Sequence, residues 1–263
     1  MNAKSDVDSF TKVSGEFTTQ VHTERANLQR LFDIQLDLLP RLVLSPNWNL
    51  HQTVFLRSQS LARLIYYYEL YQKIINVPGV VCEFGVQWGA GLCALIGLRG
   101  MLEPFNSSRV IYGFDTFEGF TQLDEKDRGF SAKGDYSTTE GYDELLEEII
   151  QLQESFSPNP HIKKFELIKG DVSDTLPEWL EKNPHAIVAM AILDMDVYKP
   201  TKDVLNAILP RLVKGSILVF DELNARNFPG ETTAVAEVIG LNNLRLHRSP
   251  RQSFCSWAVF GER

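Results

Sequence analysis

Short apolar runs alternate along this chain with longer stretches whose apolar residues recur at helical spacing. The runs Val80–Phe84, Arg109–Phe114, Phe165–Lys169, Ile187–Leu193 and Ser216–Phe220 have the length and composition of buried strands. Helices are predicted between them near Gly91–Met101, Asp143–Ser155, Leu176–Lys182 and Thr201–Leu212. Such alternation is the signature of an α/β fold built on a doubly wound, mostly parallel sheet. Near the end, Leu244–Arg248 and Phe254–Phe260 flank the turn Ser249–Gln252, so a hairpin should add an antiparallel strand at the sheet edge.

The region before the first strand reads differently. Residues 1 to about 20 are polar and aperiodic, the pattern of a loosely ordered arm. Apolar residues at helical spacing predict one helix over Glu24–Leu44, kinked or split at Pro40 and stopped at Ser45-Pro46-Asn47. A second helix fits Val54–Val77, ending at Pro78-Gly79. We therefore divide the chain into an N-terminal arm and helical cap over residues 1–75 and a sheet domain over 76–263. The cap is either an oligomerisation surface, which makes a homo-oligomer an expectation, or a cover for one face of the sheet.

Gly119 to about Gly141 interrupts the alternation with many charges and no apolar period. A loop of this length inside a compact domain is usually functional or disordered. It follows the second strand and so lies at the edge where this architecture binds ligands, which favours a lid.

The 263 residues carry a net charge of −8, which argues against sequence-independent nucleic-acid binding. No apolar run reaches the length needed to cross a bilayer, and the polar N-terminus lacks a signal peptide's apolar core. Cys82, Cys93 and Cys255 are odd in number and contain no C-x-x-C pair, so they read as reduced thiols of a cytoplasmic protein.

Candidate chemistry gathers where the strands end. Val80-Val81-Cys82-Glu83-Phe84 runs into Gly85, Gly89 and Gly91, a strand turning sharply into a helix. The spacing E-x-G-x-x-x-G-x-G is not the G-x-G-x-x-G of a dinucleotide site. A carboxylate beside the loop suits a cationic or hydroxyl-rich ligand better than a pyrophosphate. Asp115, after the second strand, can offer two oxygens to a ribose diol. Asp171, after the third, can accept from an adenine amino group or simply cap a helix.

Asp194 and Asp196 end the fourth strand, and Asp221 and Glu222 end the fifth. Neighbouring strands would bring these acids together, where they repel unless a cation neutralises them. Oxygen ligands without histidine or cysteine favour Mg²⁺, Ca²⁺ or Mn²⁺ over zinc. The alternative is an acidic rim balanced by Lys199, Arg226 or water.

Glu83-x-Gly85-x-x-x-Gly89, Gly113-Phe114-Asp115-Thr116-Phe117-Glu118-Gly119-Phe120, Leu193-Asp194-Met195-Asp196-Val197-Tyr198 and Phe220-Asp221-Glu222 resemble class I S-adenosylmethionine-dependent methyltransferases. More narrowly, they are similar to the macrocin O-methyltransferases, which methylate sugar hydroxyls in antibiotic biosynthesis. The resemblance runs from about Leu61 to the C-terminus and implies a Rossmann-like seven-stranded sheet whose last strand is antiparallel. It implies that Glu83, Phe84, Gly85, Gly89, Asp115, Thr116, Phe117, Asp171 and Val172 line the S-adenosylmethionine site, and that Asp194, Asp221 and Glu222 ligate Mg²⁺. Asp194 or Asp196 is then the candidate base. Two positions depart from the family pattern: Glu222 stands for the commoner Asp and Met195 for glycine.

The expected activity is methyl transfer to a sugar hydroxyl, on a nucleotide-linked deoxysugar or a glycosylated natural product. Lys126, Arg128 and Lys133 in the loop are available to a nucleotide diphosphate. A catechol-type acceptor is the alternative within methyltransferases. Outside them, Asp194-x-Asp196 also fits a metal-dependent nucleotide-sugar glycosyltransferase.

Overall fold

The computed structural model describes residues 11–18, 20, 22–127 and 131–262. The chain forms two compact units, Met1–Ala62 and Arg63–Arg263.

In the first unit, β1 (Thr11–Val13) and β2 (Glu16–Thr18) pair antiparallel about Ser14-Gly15, both at positive φ. Positive φ at both central residues matches the twist of a two-residue hairpin turn. This stretch is thus more regular than its polar sequence suggested; residues 1–10 lie outside those described. Helix α1 (His22–Leu42) is not split at Pro40, which sits two residues from its end. So close to the terminus, proline's missing N–H removes one of the helix's last bonds and ends the helix rather than dividing it. A 3₁₀ segment (Trp48–Phe55) follows, and α2 (Ser58–Ile74) begins beyond Leu56-Arg57.

The second unit carries the sheet. Its strands are β3 (Val80–Phe84), β4 (Ile111–Asp115), β5 (Phe165–Lys169), β6 (Val188–Leu193), β7 (Leu212–Phe220), β8 (His247–Arg248) and β9 (Ser256–Val259). They lie in the order β5-β4-β3-β6-β7-β9-β8. The first five are parallel; β9 runs antiparallel to β7, and β8 antiparallel to β9. The seven-stranded, mostly parallel sheet expected from the sequence is borne out. Helices α3 (Ala90–Leu102), α4 (Tyr142–Glu154), α5 (Val172–Lys182) and α6 (Tyr198–Ile208) join the parallel strands. Helix α7 (Pro229–Val238), absent from the sequence reading, joins β7 to the hairpin. Its Pro229-Gly230 looks like a turn, yet proline is well placed at a first helical position, where its N–H would be unpaired anyway.

Two apolar clusters cover the two faces. One packs Tyr66, Tyr67 and Leu70 of α2 with Leu92, Leu95, Leu146 and Ile150 against Val81, Ile192 and Val219. The other packs Val172, Leu176, Trp179, Val204, Leu205 and Val235 against Cys82, Phe84, Leu193 and Phe220. Alternation along the strands assigns these faces. Glu83 points to the α2 side, like Val81, and so do Asp194 and Asp221 just beyond Ile192 and Val219. The chain winds outward from β3 through β4 to β5, then returns to place β6 on the other side of β3. Ligands bind at such a switch point, outside the carboxyl ends of the strands.

Candidate active site

The glycine loop is shaped first by the protein's own backbone. Gly85 has φ +94°, and a Cβ there would lie 1.7 Å from the Asp194 carbonyl oxygen. Glycine is required because β6 runs past it, whatever ligand binds. A Cβ on Gly91 would lie 1.9 Å from Glu83 Oε1, so that glycine makes room for the acid. Gly89 is the N-cap of α3.

Glu83 is buried, and its Oε2 has no hydrogen-bond partner. Burial pushes its carboxyl up to about 8, against the pull of Arg63, with Asp115 and Asp221 adding to the rise. A buried acid without a partner is expensive. A ligand carrying positive charge, such as the ammonium or sulfonium of S-adenosylmethionine, fits here because it removes that cost.

Asp115 is engaged more than its strand-end position suggested. Its Oδ2 accepts from the N–H groups of Val86 (2.6 Å) and Gln87 (2.8 Å), and its Oδ1 from Phe117 N (2.6 Å). The carboxylate clamps the glycine loop, and Oδ1 keeps one lone pair for a ligand hydroxyl. Thr116 Oγ1 donates to the Gly119 carbonyl, and Phe117 is buried at φ +59°. The Phe84 ring is stacked on Phe114 in the core, which leaves only its backbone near the loop. Asp171 caps α5 by accepting from Ser173 N, while Thr121 donates to its other oxygen; Val172 opens α5, buried in the core. Asp171 thus takes the role of a helix cap here, one of the two roles its sequence position allowed.

The acids of β6 and β7 do converge. Ligand oxygens of Asp194, Asp221 and Glu222 lie within 4.8 Å of one another. Two residues that the sequence reading missed stand among them. Arg63 of α2 donates from one nitrogen to Asp221 Oδ1 (2.6 Å) and Cys255 Sγ (3.1 Å), and from another to Asp194 Oδ2 (3.2 Å). Glu231 of α7 is fully buried; its Oε1 accepts from Glu222 N (3.3 Å), and its Oε2 is unpartnered. Glu222 Oε2 is unpartnered as well. Lys199 pairs with Asp203 and Arg226 is exposed, so neither balances these acids. The counter-cation is Arg63.

One guanidinium does not offset so many carboxyls. Burial, then the charge of Asp221, pushes Asp194 up despite Arg63, although 29% of the Asp194 side chain remains open to solvent. Burial carries Asp196 to about 7 against a hydrogen bond with Glu222. Burial and the surrounding carboxylates drive Glu222 and Glu231 well above the ordinary range. Asp221 alone falls below it: burial acts upward, but Arg63, the Cys255 thiol and Glu222 outweigh it. Like charges this close share protons or a cation. A hard divalent ion fits an all-oxygen set with unpartnered buried atoms.

The loop after β4 is folded back on itself, with Phe120 N donating to Asp135 O and Gly134 N to Phe120 O. Buried Asp127 pins it to α6 by accepting from Tyr198 N (2.7 Å), supplying a cap that Val197 lacks. Lys126 pairs with Glu237 at 2.7 Å, and Lys133 is exposed; Arg128 lies outside the described residues. Among the described residues, no helix is long and apolar enough to cross a membrane.

Known proteins share this fold. CalS11, a calicheamicin methyltransferase, is 34% identical in its crystal structure and superposes with a TM-score of 0.87 over 100% of this chain and 99% of its own. The apo structure of CalS11, described as a TDP-rhamnose 3'-O-methyltransferase, is 33% identical, with a TM-score of 0.78 over 92% of this chain and 96% of its own. Mycinamicin III 3''-O-methyltransferase of Micromonospora griseorubida is 29% identical over 152 residues, and the match spans 56% of each chain. The sequence profile described as Macrocin-O-methyltransferase (TylF) matches residues 61–241, most of the described sheet unit. The chain belongs to the macrocin O-methyltransferase family.

Proposed function

We propose that this protein transfers the methyl group of S-adenosylmethionine to a hydroxyl of a sugar carried on a nucleotide or a natural product, with Mg²⁺ or another hard divalent cation as helper. The observation that carries this reading is the pairing of Glu83, buried with an unpartnered oxygen beside the glycine loop, with the converging acids Asp194, Asp221 and Glu222. The first suits a cationic methyl donor and the second a metal-held acceptor. The activities of the relatives, 3'-O-methylation of TDP-rhamnose and 3''-O-methylation of mycinamicin III, support the acceptor class.

When bound, S-adenosylmethionine supplies an electrophilic methyl on a sulfonium. When bound, the metal lowers the acceptor hydroxyl's pKa and holds it in place. The residues do the rest. Glu83 and the loop clamped by Asp115 orient the donor, with Gly85, Gly89, Thr116, Phe117, Asp171 and Val172 around it. Asp194, Asp221 and Glu222 hold the metal. Asp194 and Asp196 are the candidates to take the hydroxyl proton, a role worth roughly 10²–10⁴-fold. Asp194 is paired with Arg63, and Asp196 is hydrogen-bonded with Glu222. The loop pinned by Asp127 excludes water as a lid.

The test is incubation with S-adenosylmethionine, Mg²⁺ and TDP-rhamnose or a glycosylated macrolide, with product mass as readout. A mass gain of one methylene on the sugar is expected. S-adenosylhomocysteine formed with catechol but with neither sugar would overturn the acceptor class.

A further inference from the structure

We propose that Arg63 is a built-in stand-in for the divalent cation, gripping the metal-site carboxylates when the metal is absent and weakening metal binding by its charge. The inference rests on the metal reading above. Arg63 reaches Asp221 Oδ1 at 2.6 Å and Asp194 Oδ2 at 3.2 Å, two of the three acids whose oxygens converge. Its guanidinium also lies 5.0 Å from the Tyr67 ring centroid, a second favourable seat for a cation. The side chain is 27% open, so it can draw back without crossing the core.

Arginine suits this post because its planar fork bridges two carboxylates and its charge does not titrate away. It cannot complete the neutralisation. Glu222 and Glu231 each keep a buried oxygen without a partner, and Glu231 is wholly inaccessible. A metal ion would bring two charges to the carboxylates where Arg63 brings one. The two cations repel, so ion entry and the grip of Arg63 compete. Folding then does not wait for metal, and metal affinity is set by a residue that is not a ligand.

The experiment is calorimetric titration of Mg²⁺ into the wild type, Arg63→Met and Arg63→Lys, with thermal unfolding of each with and without Mg²⁺. Methionine keeps an unbranched apolar stem without the charge. It should lower the midpoint without metal, tighten Mg²⁺ binding about tenfold or more, and enlarge the Mg²⁺-induced midpoint shift. Lysine, which cannot span two carboxylates, should fall between. If Arg63→Met does not fold, the lysine variant against wild type carries the comparison.

Mg²⁺ binding no tighter in the variants than in a wild type that binds it overturns the inference and leaves the metal reading standing. No binding by any of the three overturns the metal reading, and the inference with it. S-adenosylhomocysteine affinity, measured alongside, separates the remaining case. Its collapse in Arg63→Met with unchanged Mg²⁺ affinity overturns the inference and assigns Arg63 to the cofactor's carboxylate.

Discussion

Two buried charge clusters sit at opposite edges of one sheet, and they are built in opposite ways. Where strands β3, β4 and β5 begin, Arg99, Arg109 and Lys164 face Glu103 and Glu154. Arg109 donates to Glu103 Oε2 (2.9 Å) and to the carbonyls of Ile74, Val77 and Gly79, closing the end of α2. Lys164 gives its protons to three carbonyls and lies 3.3 Å from Glu154 Oε2 as an ion pair without a hydrogen bond. Burial acts upward on Glu103, but Arg109, Tyr71 and Asn106 together hold it below the ordinary range. Where the strands end, Glu83, Asp194, Asp196, Asp221, Glu222 and Glu231 have, among the described residues, the single guanidinium of Arg63 to share, and three of these acids keep unpartnered oxygens. The first network pairs each of these charges with an opposite one, although Glu154 Oε2 is held by an ion pair and accepts no hydrogen bond. Charge pairing of this kind holds the fold in one arrangement. An unsatisfied network costs stability and persists where a ligand completes it.

Substitutions should therefore separate the two edges. The largest effect belongs to the acidic edge: Asp196→Asn should lower turnover roughly 10²–10⁴-fold. It should leave ligand-free stability unchanged or raised, since it removes negative charge from an excess of it. Steady-state methyl transfer and urea unfolding measure both. Arg109→Met should do the reverse. It strands Glu103 and several carbonyls, a loss of about 3–5 kcal/mol, while the folded protein keeps its S-adenosylhomocysteine affinity. Equal losses of stability in the two variants would erase the distinction between the edges.

Glu83→Gln examines the cost of the unfilled site as a function of pH. The folded protein raises this carboxyl from 4.5 to about 8, so the native state holds its proton more tightly than the unfolded chain. That contribution is fully present below pH 4.5 and is lost as pH rises through 8, at about 1.4 kcal/mol per unit in between. The glutamine variant should escape the decline and become the more stable protein at the upper end of that window. Parallel pH profiles of the two midpoints would contradict this. Smallest is Asp171→Ala, which removes the cap of α5 at a cost of about 1 kcal/mol. It should weaken S-adenosylhomocysteine less than Glu83→Gln does; the opposite ranking in calorimetry would return Asp171 to the adenine.

Much of this was legible in the sequence. Apolar runs ending in Glu83, Asp115, Asp194 and Asp221 announced both the strands and the acids at their ends, because strand period and burial are local properties. Arg63 was not legible. It lies on a helix 131 residues from Asp194 and 158 from Asp221, and nothing nearby distinguishes it from a surface arginine. Glu231 was hidden by Pro229-Gly230, which reads as a turn; proline followed by an acid in a first helical turn was the available signal. Asp115 and Asp171 stood where expected, but the number of their oxygens already given to backbone and hydroxyl donors depends on loop geometry that no spacing reveals.

The most direct measurement is thermal unfolding of the wild type and Glu83→Gln near neutral pH, with and without S-adenosylhomocysteine. At about 100 times its Kd the ligand should stabilise the wild type by roughly 2.7 kcal/mol, several degrees for a protein this size. The variant, more stable alone, should gain far less from the ligand. No shift in the wild type, or an equal shift in both proteins, would contradict the account of Glu83 as the unsatisfied acid that the cofactor completes.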